Sequence, residues 1–275
     1  MRKDLTFLLA LTGCMAGPNV ETLIDDLRVV GLVLEPPEAA PGETIRIDVT
    51  VADPSGQGAD VLFWTCTDLT FSGECIEGGF DGPWAVPVTL TQGEGTAEWL
   101  VPPSTQYAFD KGVSRFPVEF RALACEPGLC PLVDDALAGD SRAVAGLTDP
   151  SDSLRELPFE GVSYAKRFGW LSGQPVSAHN QNPVVTPQFD PTDVVQRQNG
   201  VELAFAVEDE QDVLVYGYAE QGGFERPETP VREGKVTLTW FPPEGGAKGE
   251  VKAYVAFEDG EGGSALWSGL ILPKS

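Results

Sequence analysis

Residues 44–51 read TIRIDVTV and alternate polar and apolar side chains without a break. Successive side chains of a strand point to opposite faces, so a period of two fits a half-buried strand and no helix. Ile45, Ile47, Val49 and Val51 are assigned to the core face. The same alternation returns in Phe116, Val118, Phe120, Ala122 and Ala124, and in Val201, Leu203, Phe205 and Val207. It returns again in Val236, Leu238 and Trp240, and in Val251, Ala253, Val255 and Phe257. Pro and Gly clusters separate the runs. Short alternating strands divided by turn signals predict an all-β chain built as antiparallel sandwiches.

The strands also repeat in order. IRIDVTVAD from Ile45 matches VELAFAVED from Val201, and DVLFW from Asp60 matches DVLVY from Asp212. TAEWLVPP, with Trp99, matches TLTWFPP, with Trp240, and FRALAC from Phe120 matches YVAFED from Tyr254. One shared order across four weak matches marks a duplicated unit. The offset between partners shrinks along the chain, so the first half carries the longer loops. The expected architecture is two tandem immunoglobulin-like antiparallel β-sandwiches, the first with a partly helical insertion. Domain 1 is placed at 27–173, a linker at 174–184 and domain 2 at 185–275. The insertion, 131–160, falls in the F–G loop of domain 1. In it, Asp134–Leu147 is Ala-rich and reads as helical, and Asp149-Pro150 reads as the start of a short second helix over Ser151–Leu157. Strand character resumes in GVSYAKRFGWL, 161–171.

The first residues follow another logic. Arg2 and Lys3 precede a short apolar run, Leu5–Gly13, too short to cross a bilayer yet suited to the apolar region of a secretory signal. The run ends Leu11-Thr12-Gly13-Cys14, which resembles the lipobox of bacterial lipoproteins. That resemblance implies a signal peptide at 1–13, lipid attachment and acylation at Cys14, and a lipidated tether over 14–26. Several acyl chains anchor stably where one does not. Met15 stands where inner-membrane lipoproteins of well-known systems carry a retention aspartate, which points to the outer membrane. Setting Cys14 apart leaves Cys66, Cys75, Cys125 and Cys130, an even set that in an exported chain predicts disulfides. Cys125-Glu-Pro-Gly-Leu-Cys130 contains a Pro-Gly turn that permits a local bridge, with Cys66–Cys75 as its counterpart. The competing pairing joins Cys66 to Cys125 across two strands.

The opening LRVVGLVLEPPEAAPGETIRIDVTVADPSG resembles the A and B strands of bacterial immunoglobulin-like modules. The ending AYVAFEDGEGGSALWSGLIL resembles their closing F–G hairpin, with Asp259-Gly260 as the turn. Together with the lipobox and the TLIDDLR lead-in, the layout resembles surface lipoproteins of the myxobacterial type with tandem immunoglobulin-like domains. The resemblance is structural and implies no catalytic residues.

The chain holds 42 Asp and Glu against 18 Lys and Arg, a net charge of -24. Such a surface repels nucleic-acid phosphates and anionic lipid alike, so nucleic acid is excluded as a partner. No G-x-S-x-G elbow, phosphate-binding loop or H-E-x-x-H occurs. The single histidine, His179, lies in the linker stretch QPVSAHNQNP. No cofactor is expected, with one qualification: Asp209 and Asp212 before the C strand of domain 2, and Asp259 and Glu261 in its F–G turn, should share one pole. Clustered carboxylates of this kind attract calcium. Tyr216 and Tyr218 lie on one side of the same C strand and are candidates for a surface platform. The expected function is that of a non-enzymatic, lipid-anchored structural or binding module of the cell envelope, meeting the membrane through its lipid and a protein or glycan through its sheets or loops. The alternative is a carbohydrate-binding or accessory module of an envelope assembly.

Overall fold

The computed structural model describes residues 20–66, 85–138, 160–190, 200–209 and 212–272. Eight strands form the first sandwich: β1 (Arg28–Glu35), β2 (Glu38–Ala39), β3 (Thr44–Ala52), β4 (Asp60–Cys66), β5 (Ala85–Thr89), β6 (Glu94–Leu100), β7 (Arg115–Cys125) and β8 (Val162–Ser172). They divide into one sheet of order β1-β3-β6 and another of order β2-β8-β7-β4-β5. The first strand breaks at Glu35-Pro36-Pro37, and the chain then pairs in parallel with β8 in the opposite sheet. Proline, lacking an N–H, ends ladder pairing there.

Eight more strands form the second sandwich: β9 (Val184–Pro187), β10 (Val201–Glu208), β11 (Val213–Ala219), β12 (Gly223–Phe224), β13 (Thr229–Pro230), β14 (Lys235–Phe241), β15 (Val251–Asp259) and β16 (Ser264–Ile271). Their sheets run β12-β14-β10-β9 and β13-β11-β15-β16. The matched segments occupy matching places. β3 and β10 are the B strands, β4 and β11 the C strands, β6 and β14 the E strands, and β7 and β15 the F strands.

Each sandwich has its own core. In the first, Ile45, Ile47 and Val49 meet Phe63, Val118 and Phe120, and Trp99 stands edge-on to Phe120 with ring centroids 5.4 Å apart. In the second, Phe205, Val215, Leu238, Trp240 and Phe257 fill the equivalent space. Trp99 and Trp240, matched in sequence, are thus the same core position of two domains, and the Trp240 indole N–H donates to Gln221 O at 2.9 Å.

The outer face of β7 departs from the expected pattern. Alternation predicts that Glu119, Arg121, Leu123 and Cys125 face water, yet all four are buried. The insertion accounts for part of this. Cys125 and Cys130 form a disulfide, which excludes the Cys66–Cys125 pairing, and a helix α2 (Pro131–Leu137) follows at once. It begins three residues before the Ala-rich stretch, with proline at its first position, where a missing N–H costs nothing, and ends at Leu137, while 139–147 of the expected helix lie outside the described residues. Val133 and the disulfide pack on Leu62, Trp64 and Leu123, giving this face a small second core. Glu119 pairs with Arg121, and the Lys166 Nζ lies 3.6 Å from its other oxygen. The bridge expected between Cys66 and Cys75, and the short helix at 151–157, lie outside the described residues, as does Cys14.

Candidate functional site at the interdomain seam

The two sandwiches lie side by side, and most of the polar side chains that sequence reasoning singled out meet at one end of their seam. The F–G turn of domain 2 shapes this end. Asp259 closes β15, and its Oδ1 accepts the backbone N–H groups of Glu261 at 2.8 Å and Gly263 at 2.7 Å. The turn is therefore a four-residue loop, Gly260–Gly263, organised by a buried carboxylate, and not a two-residue Asp-Gly hairpin turn. Gly262 and Gly263 are needed as glycines: a Cβ on the first would meet Phe168 O at 2.6 Å, and on the second Gln181 O at 2.8 Å.

Two arginines of domain 1 grip this turn. Arg115 Nη1 lies 2.6 Å from a Glu261 oxygen and its Nη2 lies 3.0 Å from Glu38. Its guanidinium sits 4.0 Å above the Trp170 ring, where a flat, weakly hydrated cation is attracted to the π-face. Arg167, almost fully buried, donates to the Gly262 and Gly263 carbonyls and pairs with Glu258 at 2.8 Å. The linker completes the junction. Asn180 Nδ2 donates to Asp259 Oδ2 at 3.0 Å, and its backbone N–H donates to Glu38 at 3.0 Å. Asn182 donates to Leu34 O and Glu35 and accepts from the Ser264 N–H. His179 is buried, with Nε2 2.9 Å from Gln174 O.

A cleft of 670 Å³ opens beside this network, lined by Glu38, Arg115, His179, Asn180, Asp209 and Glu261, among others. The structure thus brings Asp259 and Glu261 together, places Asp209 on the same cleft, and leaves Asp212 exposed at the start of β11. Among the described residues, no three carboxylate, histidine or cysteine side chains are grouped as one metal ion would require. The Glu261 carboxylate binds Arg115, the Asp259 carboxylate binds Asn180 and the turn amides, and Arg167 holds Glu258 and the carbonyls of the turn. Sequence reading missed these partners, because an arginine on a strand of one domain carries no mark of the turn it will meet in another.

At the far end the seam is apolar. Ile24, Val30, Ala52 and Tyr254 bury one another, with Tyr218 and Leu266 against them. Val30 reaches this cluster through a β-bulge between Val29 and Gly31, which turns its side chain out of the domain 1 core toward domain 2. The lead-in is fastened here as well: Leu23 bridges in parallel to Ala219, and Phe224 N–H donates to Thr22 Oγ1 at 2.8 Å. Tyr218, a candidate platform, lies instead in the seam with the Arg28 guanidinium 5.3 Å above its ring. Burial raises the phenol pKa of both Tyr216 and Tyr218.

No family model matches the sequence. Comparison with curated proteins also finds no match. Among solved structures, a red sea bream transglutaminase aligns over 92% of this chain and 32% of its own at 13% identity and TM-score 0.27. A tetra-tandem repeat from the extending region of a large adhesion protein aligns over 89% and 48% at 12% identity and TM-score 0.26. The E. coli alpha-2-macroglobulin in its native conformation aligns over 90% and 17% at 12% identity and TM-score 0.27. The chain spans less than half the length of each. Among the described residues no helix is long and apolar enough to cross a membrane.

Proposed function

We propose that this chain is a lipid-anchored, non-enzymatic module of the cell envelope, held at the outer membrane through Cys14 and presenting two joined immunoglobulin-like domains to an envelope protein or glycan. One observation carries the non-catalytic part. The polar groups gathered at the deep end of the seam are engaged by other parts of the fold: Arg115 and Arg167 by the F–G turn, Asp259 by the turn amides and Asn180, His179 by a linker carbonyl. Such groups join domains. The anchor reading rests on the lipobox and its acyl chemistry. Its test is the Cys14→Ser variant of the full chain expressed in a bacterial host. The wild type is expected in the membrane fraction with an added acyl mass, and the variant outside it. A variant that still partitions with membranes and shows no change of mass removes the anchor.

The carbohydrate-binding alternative has its own observation. Tyr164 and Phe168 point out from β8 on the outer face of domain 1, 40% and 42% exposed, with Lys166 between them. Exposed aromatic side chains on one face of a sheet suit sugar rings. Loss of glycan retention in Tyr164→Ala/Phe168→Ala would favour this reading over a protein partner. Calcium joins either reading only if it raises the thermal midpoint and Asp209→Asn abolishes the rise.

A further inference from the structure

The seam has two ends, and strand register assigns residues to each. β15 runs from Val251 to Asp259, with Ala219 of β11 opposite Ala253 and Val213 opposite Asp259. Asp259 opens the turn held by Arg115 and Arg167, so Ala219 and Ala253 mark the other end. β1 runs beside β15 in the same sense. Arg28 and Ala52 pair at the Ala219 end, and Glu35 and Arg46 pair at the turn end. The stretch of extended strand from Ala253 to Asp259 separates the two ends by about 20 Å.

The lead-in is fixed at the Ala219 end, and to both domains. Ile24 N–H donates to Ala219 O at 2.8 Å, and Phe224 N–H donates to Thr22 Oγ1 at 2.8 Å. Thr22 and Ile24 are buried. Asp26 Oδ1 accepts the Gly161 N–H of domain 1 at 3.1 Å, and Arg28 donates back to Glu21 O at 3.0 Å. These residues form a strap that belongs to the fold. Val20 is six residues after Cys14, a stretch that spans at most about 20 Å. An anchor at Cys14 therefore reaches lipid from the strap end with slack to spare. With the molecule turned over, the same residues would have to run the length of the seam fully extended, at the entropic cost of ordering each of them. Charge does not choose between the two ends, because a chain of net charge -24 is repelled by anionic lipid from any side. It does disfavour lying flat, which brings the most acidic surface close to the bilayer.

We propose that the strap stands the molecule on the membrane by its Ala219 end, with the turn held by Arg115 and Arg167 facing away. The inference rests on the lipid anchor proposed above. Both domains then stand side by side at the bilayer, although the first alone follows the anchor directly in sequence. A partner from the aqueous side meets the F–G turn of domain 2 and the cleft beside it. The test is energy transfer from the acylated full chain in vesicles of phosphatidylethanolamine and phosphatidylglycerol. A coumarin amino acid in place of Glu250 or of Lys235 is the donor, and a rhodamine lipid is the acceptor. Both positions are exposed: Glu250 precedes β15 at the strap end, and Lys235, opposite Ala206, opens β14 at the other. The Glu250 donor is expected about 20 Å nearer the bilayer and correspondingly more quenched. Inserting about twenty Gly and Ser residues after Gly17 adds about 25 Å of slack and should bring the two donors toward equal transfer. Equal transfer in the chain without the insert, stronger transfer from Lys235, or a difference that survives the insert would each overturn the proposal. Flotation of the vesicles tests the anchor separately: a chain left in the dense fraction overturns the anchor reading, and the orientation with it.

Discussion

At the scale of single residues, the buried charges of the seam have the largest consequences. Arg167 satisfies two carbonyls of the F–G turn and the Glu258 carboxylate at once. Arg167→Met keeps most of the volume but strands these acceptors, so it should cost about 3 kcal/mol in urea unfolding. An equal loss from Arg46→Met, whose partner Asp48 is on the surface, would contradict the assignment. Glu220 works in the other direction. Burial first, with Asp53 as a neighbouring like charge, raises its pKa above the ordinary 4.5. A carboxyl whose folded pKa is raised favours the fold below its unfolded value and loses that contribution as pH rises through the folded value. Glu220→Gln should therefore raise the thermal midpoint at neutral pH, and the difference should close as pH falls below 4.5. A gain that persists in acid would show that charge is not its cause.

At the scale of elements, what the sequence discloses depends on strand length. Strands of seven or more residues such as β3, β7, β10, β14 and β15 carry several turns of the alternation, and their core faces are legible from it. The short pieces β2, β12 and β13, of two residues each, exist only through their partners and have no period to read. The outer face of β7 is hidden for a different reason. Its burial is created by α2 and the disulfide, and nothing in the alternating residues announces a cover supplied by a later loop. The Cys125–Cys130 bridge closes a short loop with a sequence separation of 5. In the chain-entropy account such a loop stabilises by about 2 kcal/mol. The double Ala variant should lose about that much and quench Trp64 differently. A variant that unfolds at the wild-type midpoint would mean that α2 holds its place by packing alone. Another element-scale test is the β1 bulge. A Cβ on Gly31 would come 2.7 Å from Leu266 Cδ2, the far end of a flexible side chain. Gly31→Ala should be tolerated, whereas Gly31→Val should cost about 1–3 kcal/mol through overpacking of the seam.

At the scale of the whole molecule, the seam decides whether two domains behave as one. It combines an apolar cluster at one end with a buried polar junction at the other, so heating should give a single calorimetric transition. Ile24→Ala removes a side chain only 1% exposed at the centre of the apolar end and should cost about 3 kcal/mol. If the seam couples the domains, this variant should also split the transition in two. Two transitions in the wild type would refute coupling outright. The candidate site was only half legible for the same reason: Asp259 and Glu261 stand out as an acidic turn, but what holds them, Arg115 on Glu261 and Asn180 on Asp259, with Arg167 on the carbonyls of the turn, is named only by the docking of one domain on another. The lead-in residues Thr22, Leu23 and Ile24 reach β11 and β12 of domain 2 before the chain enters the first strand of domain 1. A pull applied at the N-terminus is therefore taken up first by domain 2 and the seam. Stretched from that end, the two domains should yield as a single clasped body, with the first domain shielded from the strain, and not as two beads drawn out one after the other.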